Sequence, residues 1–158
     1  MRKGSQMVVR CLILIGVMVS IGAHAYSFEA VAVLSGMGKA KDGDGIVFGK
    51  VEVRLQGIAA PEDSHHKTEP GGKASTLNLK ELVDGELVVC HLDGSTAGKR
   101  PVGVCFVDGI EVNKHQIATG HARDCPAFSK GRYNEDEVRA RKAGNNLSLI
   151  YDLPDYCS

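Results

Sequence analysis

From Val51 the chain alternates strictly, with Val51, Val53 and Leu55 on one face and Glu52, Arg54 and Gln56 on the other. A period of two predicts a half-buried strand over 51–58, its apolar face in the core and Arg54 pointing away from it. A shorter apolar run, 46–48, precedes it across Gly49-Lys50, and a β-leaning run at 28–34 lies further upstream. These three runs predict a meander. Asp42-Gly43 and Asp44-Gly45 sit on the bend between the first two, because glycine accepts the dihedrals of a tight reversal. Gly57 ends the long strand, and Pro61 favours an extended residue before it, leaving Glu62 at a loop entrance. Residues 63–72, with His65, His66, Pro70 and two glycines, predict a flexible loop.

The period then changes to that of a helix. Ala74, Leu77, Leu79, Leu82 and Val83 form an approximate helical stripe over 73–83, stopped by Asp84-Gly85. Runs at 87–92 and 102–107 predict two more strands joined by 93–100, with Arg100 at the entry to the second. A short helix is predicted over 112–119, ended by Gly120. Another starts at Asn134 as N-cap, with Glu137 in the capping-box position, acids in the first turn and bases in the last. Beyond Leu147 the pattern predicts only a tail, 148–158. Five short strands with about three interspersed helices define an α+β, mainly β chain of the OB type, an open five-stranded barrel that hosts oligonucleotide sites.

Length adds that a single domain is present, since 158 residues match one core of ordinary size. Residues 1–25 read as a secretory leader: Arg2, Lys3 and Arg10 make a basic start, 11–22 is apolar, and Ala23-His24-Ala25 is a small-residue cleavage site. The apolar run is shorter than the roughly 20 residues that span a bilayer, so no membrane attachment is expected once the leader is removed. The domain is then 26–147, in a periplasmic or secreted monomer. The full chain carries 19 Lys+Arg and 19 Asp+Glu. Removing the leader's three bases leaves 16 against 19, a net charge of −3. That balance excludes a strongly basic, non-specific nucleic-acid coat protein.

One of five cysteines leaves with the leader, and four in an exported chain predict two disulfides. Cys90 and Cys105 lie on consecutive strands, so a cross-strand bond is reasonable, and Cys125 would then pair with Cys157. Zinc is the rival use of these residues. There is no C-x-x-C, and His65, His66, His91, His115 and His121 show no paired-ligand spacing.

Three stretches carry a resemblance: Asp42-Gly43-Asp44; Arg54-Leu55-Gln56-Gly57-Ile58-Ala59-Ala60-Pro61-Glu62; and Gly98-Lys99-Arg100 before a strand. In that order they resemble the staphylococcal nuclease-like domains, over about 28–147. The resemblance implies the same barrel and the hydrolysis of nucleic-acid phosphodiesters, DNA or RNA, with calcium as cofactor. It implies Arg54 and Arg100 as a phosphate clamp, Glu62 as general base and Asp44 as calcium ligand. The roles suit the residue types. A guanidinium holds two phosphoryl oxygens in its planar fork, and hard carboxylate oxygens select calcium. Lys99 is the alternative to Arg100. Ala59 departs from the pattern, standing where the family has a metal-binding Asp; metal binding is then expected to be weak, with water or Asp63 filling the place or the ion held mainly by the substrate's own phosphate. The other expectation left open is a catalytically inactive barrel that binds an anionic ligand or a protein partner.

Overall fold

A computed structural model describes residues 29–158; the leader predicted at 1–25 lies outside the described residues. In chain order the elements are β1 (Ala32–Met37), β2 (Lys39–Ala40), β3 (Gly45–Phe48), β4 (Val51–Leu55), β5 (Ile58–Ala59), α1 (Gly72–Val83), β6 (Leu87–Ala97) and β7 (Arg100–Val107). Then come β8 (Ile110–Glu111), α2 (Val112–Ala118), β9 (Arg123–Asp124), α3 (Pro126–Ser129) and α4 (Asn134–Lys142). Two short 3-10 turns, Leu147–Leu149 and Asp155–Cys157, finish the chain. No helix among the described residues is long and apolar enough to cross a membrane.

The main sheet runs β1-β6-β7-β4-β3-β2, with β8 added to β7. Every pairing is antiparallel except β4 with β7. Only Gly38 separates β1 from β2, so the hydrogen-bonded path starts and ends on one bent strand. That bend turns a sheet into the expected five-stranded barrel, with β1 and β2 counting as one. Gly38 is required at the corner, because a Cβ there would lie 2.4 Å from Val88 Cγ2. The predicted meander is corrected in one respect. β1 pairs with β6, from Ala32↔Leu92 to Met37↔Leu87, and only its continuation β2 reaches β3.

The core fills the barrel and its junction with α1 and α2. Ile46, Val53, Leu55, Leu79, Val83, Val88, Val112 and Ile117 are buried together, and each such side chain contributes about 1.5–3 kcal/mol. On α1 the buried face is Gly72, Ser75, Thr76, Leu79 and Val83, while Leu77 is exposed. The predicted stripe is therefore rotated. Ser75 occupies the inner face because its hydroxyl donates to the His121 carbonyl (2.6 Å), which removes the cost of burying it.

Two further differences concern the C-terminal third. Asn134 begins α4 but does not cap it: Tyr133 precedes the helix, with no side-chain cap bond. Glu137 turns instead to β9, accepting from Asp124 N (3.0 Å) and Arg123 Nε (3.2 Å). The acids of the first turn and bases of the last remain matched to the helix dipole.

Both predicted disulfides are present, Cys90–Cys105 across the β6–β7 ladder and Cys125–Cys157. With partners 15 and 32 positions apart in sequence, loop-closure entropy gives each on the order of 3–4 kcal/mol. The second bond makes the tail part of the fold. Ala59, Cys125, Leu147, Tyr151 and Cys157 form a small apolar cluster of their own, with Leu153 packed against it.

Candidate functional site

The Asp42-Gly43-Asp44 bend is fixed by its own residues. Asp42 Oδ1 accepts from Asp44 N (3.1 Å), a side-chain turn that orients the loop. Gly43 has no substitute, since a Cβ would fall 1.9 Å from Ser75 Oγ and 2.6 Å from Ala60 Cβ. The bend delivers the Asp44 carboxylate to a buried position under β4. One oxygen, Oδ1, is in ion-pair contact with Arg54 Nη1; the other accepts from Ala60 N (2.9 Å).

Arg54 lies on the face of β4 turned away from the barrel core, as alternation requires. It is nonetheless covered, its side chain 11% exposed. Its Nη2 donates to the Ile58 carbonyl (3.1 Å), so the guanidinium is held at both ends. Burial pulls its pKa down from the usual arginine value; nearby Tyr156 and Asp42 oppose that, and Arg100 adds to it. Burial likewise raises Asp42, against the attraction of Arg54.

Arg100 reaches the same place by strand register. Arg54 pairs with Val102 in the parallel β4–β7 ladder, so Arg100, two residues earlier, presents its side chain on the same face. Its Nη1 lies 3.1 Å from Glu52 Oε1, and its side chain is 36% exposed. Glu52 is shared with Lys41, whose Nζ lies 2.6 Å from Oε2. Partial burial would raise the Glu52 carboxyl, but these two cations hold it below the usual range. Arg54 and Arg100 together line a groove of about 580 Å³, while Lys99 is exposed outside it.

Glu62 is placed differently. Its backbone is anchored, N–H to Glu69 Oε2 (2.9 Å) and carbonyl from Glu69 N (2.9 Å), and Gly72 is needed because a Cβ would sit 2.2 Å from that carbonyl. The residue is exposed and does not line the groove. Tyr151, buried in the cluster with Ala59 and Cys125, feels charges from both parts of the site. Its phenol is raised first by burial, then by Tyr156, Glu69 and Glu62, against the pull of Arg54. Asp44 and Arg54 are thus in contact and Arg54 and Arg100 share the groove, while Glu62 lies outside its lining.

The sequence reading missed Gln56, Phe128 and Tyr156, which line the groove. A signal existed. If Cys125 pairs with Cys157, then Tyr156 and Phe128 are drawn together, and their rings do meet edge to face at 6.3 Å.

The residues present do not fit a calcium ion. Calcium takes six to eight oxygens, several of them carboxylate. Asp44 has both oxygens engaged, one of them by a cation. At the position of the family's second carboxylate, Ala59 is fully buried against Cys125, Leu147, Tyr151 and Cys157, so the space is apolar and filled. Asp63, the other candidate, has its backbone paired with Thr68, and no contact of its carboxylate with Asp44 is present among the described residues. Among the described residues no group of three or more His, Cys, Asp or Glu is arranged to hold a metal. Ala59→Asp is accordingly expected to destabilise the protein by on the order of 3 kcal/mol, by burying an unpaired carboxylate in that cluster. Thermal unfolding of the variant checks this. A melting temperature restored by calcium would show that the site can be rebuilt, contrary to this account.

Two arginines lining one groove beside an Asp-Gly-Asp bend, on an OB-type barrel, match a known class. Residues 52–147 match the model of the staphylococcal nuclease homologues, and the chain belongs to that family. It is also similar to the succinoglycan biosynthesis protein ExoI of Rhizobium meliloti (strain 1021), with 27% identity over 141 residues, 84% of this chain and 74% of that protein. Members of the family are in general nucleases that act on nucleic acid, typically with calcium.

Proposed function

We propose that the protein is an exported, monomeric nuclease that binds a phosphodiester of DNA or RNA between Arg54 and Arg100 and cleaves it with little sequence preference. The observation that carries this reading is the placement of two guanidinium groups on one face, both lining one open groove. Like charges repel, and an anion between them relieves the repulsion while both forks donate to its oxygens. A phosphodiester is the anion that an OB-type surface of this family accommodates.

Glu62 serves as general base. Its exposed carboxylate takes a proton from a water whose oxygen attacks phosphorus; the opposite P–O ester bond breaks, and the departing oxygen is protonated from solvent. Arg54 and Arg100 hold the two non-bridging oxygens, where negative charge builds up. Arg54 is preorganised for this by Asp44 and the Ile58 carbonyl, so it needs little reorientation.

The burial of Ala59 favours a second reading, in which the barrel binds the phosphodiester without cutting it. Cleavage of single-stranded DNA by the oxidised protein, with calcium titrated and a chelator as control, separates them. Slow cutting that survives the chelator is the expected outcome. An intact substrate that is nevertheless bound would establish the second reading.

A further inference from the structure

The bent strand that closes the barrel has an open half. β6 lies along one side of β1, and among the described residues no strand is paired along the other. The cause is the length of the next hairpin. β2 pairs with β3 only at Lys39↔Val47 and Ala40↔Ile46, and β3 turns into β4 through Gly49-Lys50, so the hairpin stops at the level of the Gly38 corner. Upstream of that corner the outer edge of β1 is bare.

Ladder geometry decides which backbone groups that edge presents. Gly38 N donates to the Glu86 carbonyl (3.0 Å), so in the register from Ala32↔Leu92 to Met37↔Leu87 the even-numbered residues turn toward β6. Val33, Ser35 and Met37 therefore turn their N–H and C=O groups outward. Such an edge is a template for another strand, and folds commonly blunt it with a charge or a proline. Residues 30–38, Ala-Val-Ala-Val-Leu-Ser-Gly-Met-Gly, contain neither. The side chains are bare as well: Val31 is 67% exposed, and Val33 and Met37 are each 63% exposed. Charge appears only at the two ends, as Glu29 and Lys39, both exposed.

We propose that β1 pairs edge to edge with β1 of a second copy of this chain, antiparallel about a twofold axis at Leu34. The charged ends select both the partner and the register. With Leu34 opposite Leu34, Glu29 of each copy falls opposite Lys39 of the other, an attraction at either end of the ladder. The same register sets Val31 opposite Met37, apolar against apolar. It also lets Val33 and Ser35 exchange both backbone bonds across the axis, because both turn outward. The pairing covers the open edge of both copies, so assembly closes at two chains. The groove lies within one copy, and the reaction proposed above needs no partner. Self-pairing is a concentration-dependent step beyond that reaction.

Sedimentation equilibrium of the oxidised, leader-free protein over about 1 μM to 1 mM tests this. The mean mass should climb from one chain toward two and stop there, while amide exchange slows at Val33, Ser35 and Met37. Ser35→Pro should stay a single chain throughout, since it removes an outward N–H and leaves the β6 ladder whole. Its melting temperature in dilute solution shows that the fold is kept. Glu29→Lys, an exposed change that leaves the core untouched, should weaken pairing roughly tenfold, and adding Lys39→Glu should restore it. A single chain at the highest concentration would overturn the inference. So would a mass that rises past two chains, a Ser35→Pro protein that still pairs, or a double charge swap that fails to restore what the single swap removed.

Discussion

Replacing Arg54 with alanine is expected to cost about 3–5 kcal/mol of stability and to remove oligonucleotide binding altogether. The reason is the isolation of its partner. Asp44 lies beneath β4 with one carboxylate oxygen against Arg54 and the other on Ala60 N. Without the guanidinium, a buried carboxylate keeps a single amide donor and must either remain charged at high cost or take up a proton. Arg54→Lys should recover part of the stability, but not the binding, since an ammonium cannot donate in a fork to both the Ile58 carbonyl and a phosphate. Chemical denaturation of wild type, Arg54→Ala and Asp44→Asn checks the first claim. A loss below about 1 kcal/mol for Arg54→Ala would show the pair to be no more than a surface ion pair.

The second large effect is kinetic. Glu62→Gln should lower the cleavage rate by roughly 10²–10⁴-fold, the usual contribution of a positioned general base. Stability should hold within about 0.5 kcal/mol, because the Glu62 carboxylate is exposed and its anchoring bonds to Glu69 come from the backbone. Single-turnover cleavage beside a binding titration separates the roles: affinity stays, rate falls. A rate unchanged in Glu62→Gln would remove Glu62 from the reaction.

Much of this site was legible in the residues. Alternation over 51–55 put Arg54 on the non-core face, and Asp-Gly-Asp announced a bend whose glycine is sterically obligatory. The cysteines allowed the observed pairing because Cys90 and Cys105 lie on adjacent strands in register. What stayed hidden depends on contacts distant in sequence. Nothing local tells that 32–37 joins β6 rather than β3; that follows from the corner at Gly38 and from Val88, fifty residues on. The stripe of α1 was misjudged because Ser75 and Thr76 count as polar by type, yet Ser75 finds a carbonyl 46 residues away. Glu137 fits a capping box by spacing, but β9 offers it better donors. The tail looked inert by composition. Its Cys157 bond makes it a wall of the groove and fills the space beside Ala59, which is also why the missing carboxylate at 59 has no simple replacement.

Arg54 is too deeply tied into the fold to report on binding cleanly, and Glu62 reports on rate. Arg100 is the residue that isolates the phosphate clamp. It is part-exposed, and its partner Glu52 keeps Lys41 when Arg100 is removed. The most direct measurement is therefore the affinity of Arg100→Gln for a single-stranded oligonucleotide, with its melting temperature recorded beside it. Binding weakened by roughly tenfold or more, with a shallower dependence on salt and an unchanged melting temperature, is the predicted result. Affinity and salt dependence equal to wild type would contradict the clamp and the function built on it.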